Sequence, residues 1–221
     1  MKVLRTWVRL PAPWVQGYGL RRLKWVPGQG ADNTAALMVL VVLAHHVEQN
    51  TNVSKITYDD LCIATGLSRP KIAAGIRILI REGLVENNVE GRSTYRLTGY
   101  EDGIKWGKLP ARAMYSGKVV NAFRDFTLRN QTELNAMKLF VLFVIRRNNK
   151  ENVVELSYER ITEYTEIPRH RIRSAITLLG SVGLLHLERT LSKDGNGAMF
   201  NAYRIPHVDP YNHPAAQVRA Q

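Results

Sequence analysis

Residues 65–85 read TGLSRPKIAAGIRILIREGLV, and 100 positions later residues 165–185 read TEIPRHRIRSAITLLGSVGLL. The polar residues differ but the apolar skeleton returns. In this register Ile56 answers Leu156, Tyr58 answers Tyr158, Leu61 answers Ile161 and Leu67 answers Ile167. Ile72, Ile76 and Leu79 then answer Ile172, Ile176 and Leu179, and Gly83 answers Gly183. A register held this long predicts one local unit built twice, which limits the fold more than any bulk property does.

The repeat extends upstream, where ALMVLVVLAHH (36–46) answers AMKLFVLFVIR (136–146). At an offset of 99 the lead-in Trp7-Val8-Arg9-Leu10-Pro11-Ala12 answers Trp106-Gly107-Lys108-Leu109-Pro110-Ala111. Downstream, Tyr95-Arg96-Leu97 answers Tyr203-Arg204-Ile205 at 108, and the extra residues fall in LSKDGNGAMFN, which has the composition of a hairpin tip. Each copy therefore reads as lead-in, long apolar helix, short helix, turn, helix and hairpin. This predicts domains over 1–101 and 102–206 and a loose C-terminal tail over 207–221. The fold class expected is mainly α with small β-wings (α+β), in two tandem units related by duplication.

Local signals place the elements. Thr57 and Ser157 stand where a hydroxyl caps a helix start, and Asp60 sits at the third helical position. The second helix is then roughly Tyr58 to Thr65. Gly66 suits a left-handed turn and Ser68 a cap. In the second copy Glu166 replaces that glycine and weakens the turn signal, while Pro168 marks a first helical turn. Ile72, Ile76 and Leu79, with their counterparts, form one buried stripe. Gly83 and Gly183 end these helices, and strand pairs follow over 84–86 with 94–97 and 184–188 with 200–205.

The stripe leaves an opposite face carrying Pro70, Lys71, Ala74, Arg77 and Arg81 in the first copy. In the second it carries His170, Arg171, Ser174 and Thr177, with Arg173 beside them. Arg69 and Arg169 begin the two helices, where a cation is unfavourable unless an anion offsets it. That anion is a phosphate, or a carboxylate such as Asp60. Small Ala73, Ala74 and Gly75 permit close approach, either of a ligand or of a neighbouring helix.

Charge bears on the partner. The chain has 31 Lys and Arg against 19 Asp and Glu, a formal net charge of +12. Residues 1–100 hold 13 cations against 7 carboxylates and residues 101–221 hold 18 against 12, so both halves are basic. A basic folded surface points to a polyanion. Cys62 is the one cysteine, which excludes an internal disulfide and offers no zinc cluster. The longest apolar run, Ala35 to Ala44, is about half a membrane span. The start, MKVLRTWVRLPAPW, lacks an apolar leader core. A cytoplasmic protein with no membrane role and no cofactor is expected.

ITYDDLCIATGLSRPKIAAGIRILIREGLVE resembles the winged helix-turn-helix of bacterial DNA-binding proteins, among them MarR-like regulators and the amino-terminal domains of phage replication proteins. The duplicated arrangement resembles plasmid replication initiators built from two winged-helix domains. This resemblance implies that the third helix of each unit enters a major groove and that the hairpin tip touches backbone or minor groove. The DNA-binding residues expected are Ser68, Arg69, Pro70, Lys71, Ala74, Arg77, Arg81 and Arg92 in the first unit. In the second they are Arg169, His170, Arg171, Arg173, Ser174, Thr177, Lys193 and Asn196.

Residues 17–25, GYGLRRLKW, interleave Arg21, Arg22 and Lys24 with aromatics, as a basic arm gripping phosphates or as an amphipathic strand or helix supporting a dimer or domain contact; the favoured expectation is packing through Trp25 and phosphate contact through the cations. His45 and His46 are expected to be structural, Cys62 to lie on the buried side of its helix, and Ile78 with Leu178 to mark a second contact between domains or protomers. No GxxxxGK[ST], HExxH or GxSxG motif occurs, and no enzyme is expected. The expected function is sequence-specific binding of double-stranded DNA, for replication initiation or transcriptional regulation, with a homodimer and the replication or transcription machinery as further partners. The alternative is a tandem winged-helix protein-interaction module, as in a chromosome-partition complex.

Overall fold

The computed structural model describes residues 4–48, 50–149, 151–191 and 199–208. The chain enters as strand β1 (Trp7–Pro11), a short helix α1 (Pro13–Gln16) and a 3₁₀ turn at Gly19–Arg22. Helix α2 (Gly30–His45) follows, then β2 (Val53–Lys55), α3 (Tyr58–Thr65), α4 (Arg69–Arg81), β3 (Val85–Asn87) and β4 (Thr94–Leu97). The second half opens with β5 (Trp106–Pro110), a small hairpin of β6 (Tyr115–Ser116) and β7 (Val119–Val120), and helix α5 (Gln131–Arg146). It continues through α6 (Tyr158–Thr165), α7 (Arg169–Ser181), β8 (His186–Leu191) and β9 (Met199–Arg204). The fold is mixed α and β with small antiparallel sheets.

Helices α2 and α5 occupy the centre because neither has a polar face: residues 33–45 and 133–144 are buried all round. They pack on each other, with α4 outside α2 and α7 outside α5. Helix α4 crosses α2 at Gly75, where an added Cβ would stand 3.1–3.2 Å from the backbone of Ala35 and Ala36. The small residues of α4 thus serve helix packing, and Ala74 is itself buried. Helix α5 is closed at its start by Asn130, which accepts from the Glu133 amide, while Glu133 accepts from Thr127 and Asn130.

The lead-ins join the halves. Strand β1 pairs antiparallel with β5, and Arg9 stands opposite its counterpart Lys108. The pairing is therefore symmetric about these two residues. One hydrophobic core runs from Leu10 through both central helices to Val208. The expected division at residue 101 does not divide that core. The expected tail from residue 207 begins with Val208 inside it, and residues 209–221 lie outside the described residues.

Sheet β2-β4-β3 closes the first half, and β2 extends the expected strand pair. In the second half β8 pairs with β9, and Val154 bridges to Tyr203 where β2 would stand. Among the described residues no helix is long and apolar enough to cross a membrane.

Candidate nucleic-acid interface

The two outer helices are set by matching local devices. Thr57 accepts from the Asp60 amide and Ser157 from the Arg160 amide, capping α3 and α6. Each of these helices ends on a left-handed residue, Gly66 at φ 72° and Glu166 at φ 56°. The glutamate takes a conformation that ordinarily costs an L-residue ~1–2 kcal/mol, so the turn forms without the glycine signal. Ser68 holds the cap position of α4 but makes no side-chain cap bond, and Pro168 precedes α7 instead of entering its first turn. The stripe Ile72, Ile76, Leu79 and its counterparts are buried.

The helices pack in the order α4, α2, α5, α7. The outward faces of the outer two differ in available charge. Arg69 pairs with Asp59 at 2.5 Å, and Arg169 makes the equivalent pair with Glu159. Both helix-start cations are thus offset by a carboxylate, although by the neighbour of Asp60. Asp60 instead accepts from Thr57 and Lys118, and these two partners hold its carboxyl below the usual range. Lys71 pairs with Asp32 at 2.6 Å and Arg81 with Glu82 at 3.6 Å.

Arg77 is left exposed on α4 with no ion pair among the described residues, as is Arg92 on the hairpin tip. On α7, His170, Arg171 and Arg173 are all exposed with no such pair, and Ser174 and Thr177 lie beside them. The hydroxyls of Ser174 and Thr177 donate to the carbonyls of Arg171 and Arg173, leaving their lone pairs outward. Ser68 and Pro70 are exposed at the start of α4. Ala74 is a correction: it is 6% exposed, turned to the first turn of α2 beside Asn33 and Ile78. Lys193 and Asn196 lie outside the described residues.

Arg21, Arg22 and Lys24 require the larger correction. They do not form a free arm, because each meets a partner within the protein. Arg21 donates to the Glu163 carbonyl at 2.5 Å, Arg22 pairs with Glu82 at 2.5 Å and Lys24 with Glu166 at 3.4 Å. Trp25 packs as expected, over Gly30 at the start of α2. Tyr18, Glu82, Lys138 and Glu163 complete this cluster, and sequence reasoning missed all four. A signal was present in Lys138, a cation inside the apolar run AMKLFVLFVI. It is buried, donates to the carbonyls of Leu23 and Thr165, and burial pushes its ammonium down to about 8.

The remaining residues are structural. His45 is fully buried, as expected of a structural histidine, though it bridges to the other half: Nε2 donates to the Pro110 carbonyl and Nδ1 accepts from the Tyr115 hydroxyl, each at 2.9 Å. Burial pushes it down to about 3. Cys62 is half-buried and packs against the core, on the side expected, and desolvation raises its thiol. Ile78 is buried and Leu178 half-buried. No family model matches this sequence, and no curated protein matches it either.

Proposed function

We propose that the chain is a duplex-DNA-binding protein made of two winged-helix units related by duplication, with α4 and α7 entering successive major-groove segments. The observation that carries the reading is the outward face of α7, where Arg171, Arg173 and His170 are exposed beside Ser174 and Thr177 without carboxylate partners among the described residues. Arginine pairs bidentately with guanine acceptors, and hydroxyls reach bases or phosphates. The unlike polar faces of α4 and α7 suit a site whose halves differ, at a replication origin or a promoter.

The test is a mobility-shift titration of the full chain with random duplex at low salt, repeated as salt rises. Binding that weakens steeply with salt is expected, because phosphate contacts release counterions. No binding at low salt would sink the reading. Exposed Ile63 and Ile80 on the first unit favour a second reading, a protein-interaction module, which predicts no duplex binding under any salt.

A further inference from the structure

Residues 18–24 belong by sequence to the first half, yet much of their contact is with the second. The Tyr18 ring stacks on Tyr164 with centroids 5.3 Å apart, and its hydroxyl meets Glu163 Oε1 at 3.0 Å. Arg21 lies 4.2 Å over the Tyr18 ring while donating to the Glu163 carbonyl. Lys24 reaches Glu166, the left-handed residue of the turn before α7. Lys138 pins the same strand of chain from below through the Leu23 carbonyl, and the end of α6 through Thr165.

Arg22, between these residues, holds α4. Glu82 is the C-cap residue of that helix, and its side chain is 5% exposed. It accepts from Arg22 at 2.5 Å and from the Trp14 indole at 3.4 Å. Arg22 and Lys24 are two residues apart, so their Cα atoms are separated by at most about 7 Å. One short stretch thus grips the C-cap of α4 and the turn that launches α7.

Exposed ion pairs in isolation contribute little, on the order of 0–1 kcal/mol. Here they are anchored to a nearly buried Glu82, a buried Lys138 and a stacked pair of tyrosines. We infer that residues 18–24 are a spacer strap that fixes the distance and angle between α4 and α7, with Tyr18, Arg21 and Arg22 as positioning residues for a two-part DNA site. The DNA part of this inference rests on the function proposed above; the mechanical part does not.

Two measurements on the full chain test it. In the first, Cys62→Ser is combined with Ile80→Cys and Gly180→Cys, counterparts on exposed positions of α4 and α7, and nitroxides on the new thiols report the distance distribution by pulsed dipolar spectroscopy. The wild-type strap gives one narrow distribution, and the triple variant Tyr18→Ala, Arg21→Ala, Arg22→Ala broadens it. In the second, bound duplexes are selected from a random library to obtain the two half-sites. Two inserted base pairs turn one half-site by about 70° and shift it by about 7 Å. The unaltered chain loses roughly tenfold in affinity or more, and the strap variant less than about threefold, with the bases preferred within each half unchanged.

A merely structural loss lowers binding to every spacing alike and leaves the spacing preference intact, which overturns the inference, as does an unchanged distance distribution. Where the triple variant fails to fold, Arg22→Gln alone is read by the same criteria. Should the wild-type chain bind no duplex, the DNA reading falls and the distance measurement alone decides whether the strap sets the helices.

Discussion

The indole of Trp7 lies flat on that of Trp106, with centroids 5.6 Å apart and planes 11° from parallel. The two residues are counterparts in the repeat, and the cations around them are counterparts as well. Arg9 lies 4.9 Å over Trp106, and Lys108 lies 5.1 Å over Trp7. Like charges facing each other across a strand pair are unfavourable, and Arg9 and Lys108 face each other in register. Each ring face offsets part of that repulsion for the cation contributed by the opposite strand. The ribbon of β1 and β5 is held by this exchange as well as by its backbone bonds.

Because both rings share one stacking interaction, their removal should not be additive. Trp7→Ala and Trp106→Ala are each expected to destabilise the chain by ~2–4 kcal/mol, below the full cost of a buried tryptophan because both rings are half-exposed. The double variant should cost less than the total of the two, by about 1 kcal/mol. Urea unfolding of the three variants measures this, and strict additivity would show that the stack contributes nothing of its own.

Gly107 supplies a second test of the ribbon. Its counterpart is Val8, yet a Cβ at Gly107 would stand 2.2 Å from the Val144 carbonyl oxygen and 2.7 Å from its carbon. The close approach is to backbone, which cannot swing aside as a side chain would. Gly107→Ala should therefore cost ~3 kcal/mol or more, at the upper end of overpacking effects, while Val8→Gly should be mild by comparison. Thermal unfolding of the pair checks the asymmetry.

This glycine also marks the limit of what the repeat makes legible. The apolar stripe of Ile72, Ile76 and Leu79, the hydroxyl caps and the two central helices all follow from local spacing, since each depends on residues within a turn or two. The ribbon does not, because strand period alone does not say which strand Trp7 faces. The strap is further out of reach: Tyr18 and Glu163 are 145 residues apart, and nothing in GYGLRRLKW distinguishes a cation that will meet Glu82 from one left free for a phosphate. The same holds on α4 itself, where Lys71 and Arg77 look alike in sequence and only the fold brings Asp32 to the former.

His45 makes the junction between halves sensitive to acid. Its folded value of about 3 lies below the usual 6.5, so the unfolded chain binds a proton over that interval and the folded chain does not. Stability from this residue is complete above pH 6.5 and is lost as pH falls toward 3, at up to ~1.4 kcal/mol per pH unit. His45→Gln is expected to be less stable than wild type at pH 7 and to show a shallower decline between pH 6.5 and 5. Denaturant melts at several pH values test the claim, and parallel curves would assign the acid response to other groups.

The unequal faces of α4 and α7 lead to a prediction about salt. On α4, Arg69, Lys71 and Arg81 are each paired with a carboxylate, leaving Arg77 as the helix's unpaired cation among the described residues. On α7 only Arg169 is so paired among the described residues, leaving Arg171 and Arg173. A cation already held by a carboxylate must break that pair to meet a phosphate, so it adds little net affinity. Arg171→Ala with Arg173→Ala should therefore lower the slope of log affinity against log salt by ~0.9 for each of the two that meets a phosphate instead of a base edge, about 1.8 at most. Lys71→Ala with Arg81→Ala should lower it by well under ~0.9 on the same scale. Fluorescence-anisotropy titrations of a labelled duplex across a salt series measure both slopes. Equal changes in the two would mean that the ion pairs on α4 open freely on binding, and the two helices would then contribute alike.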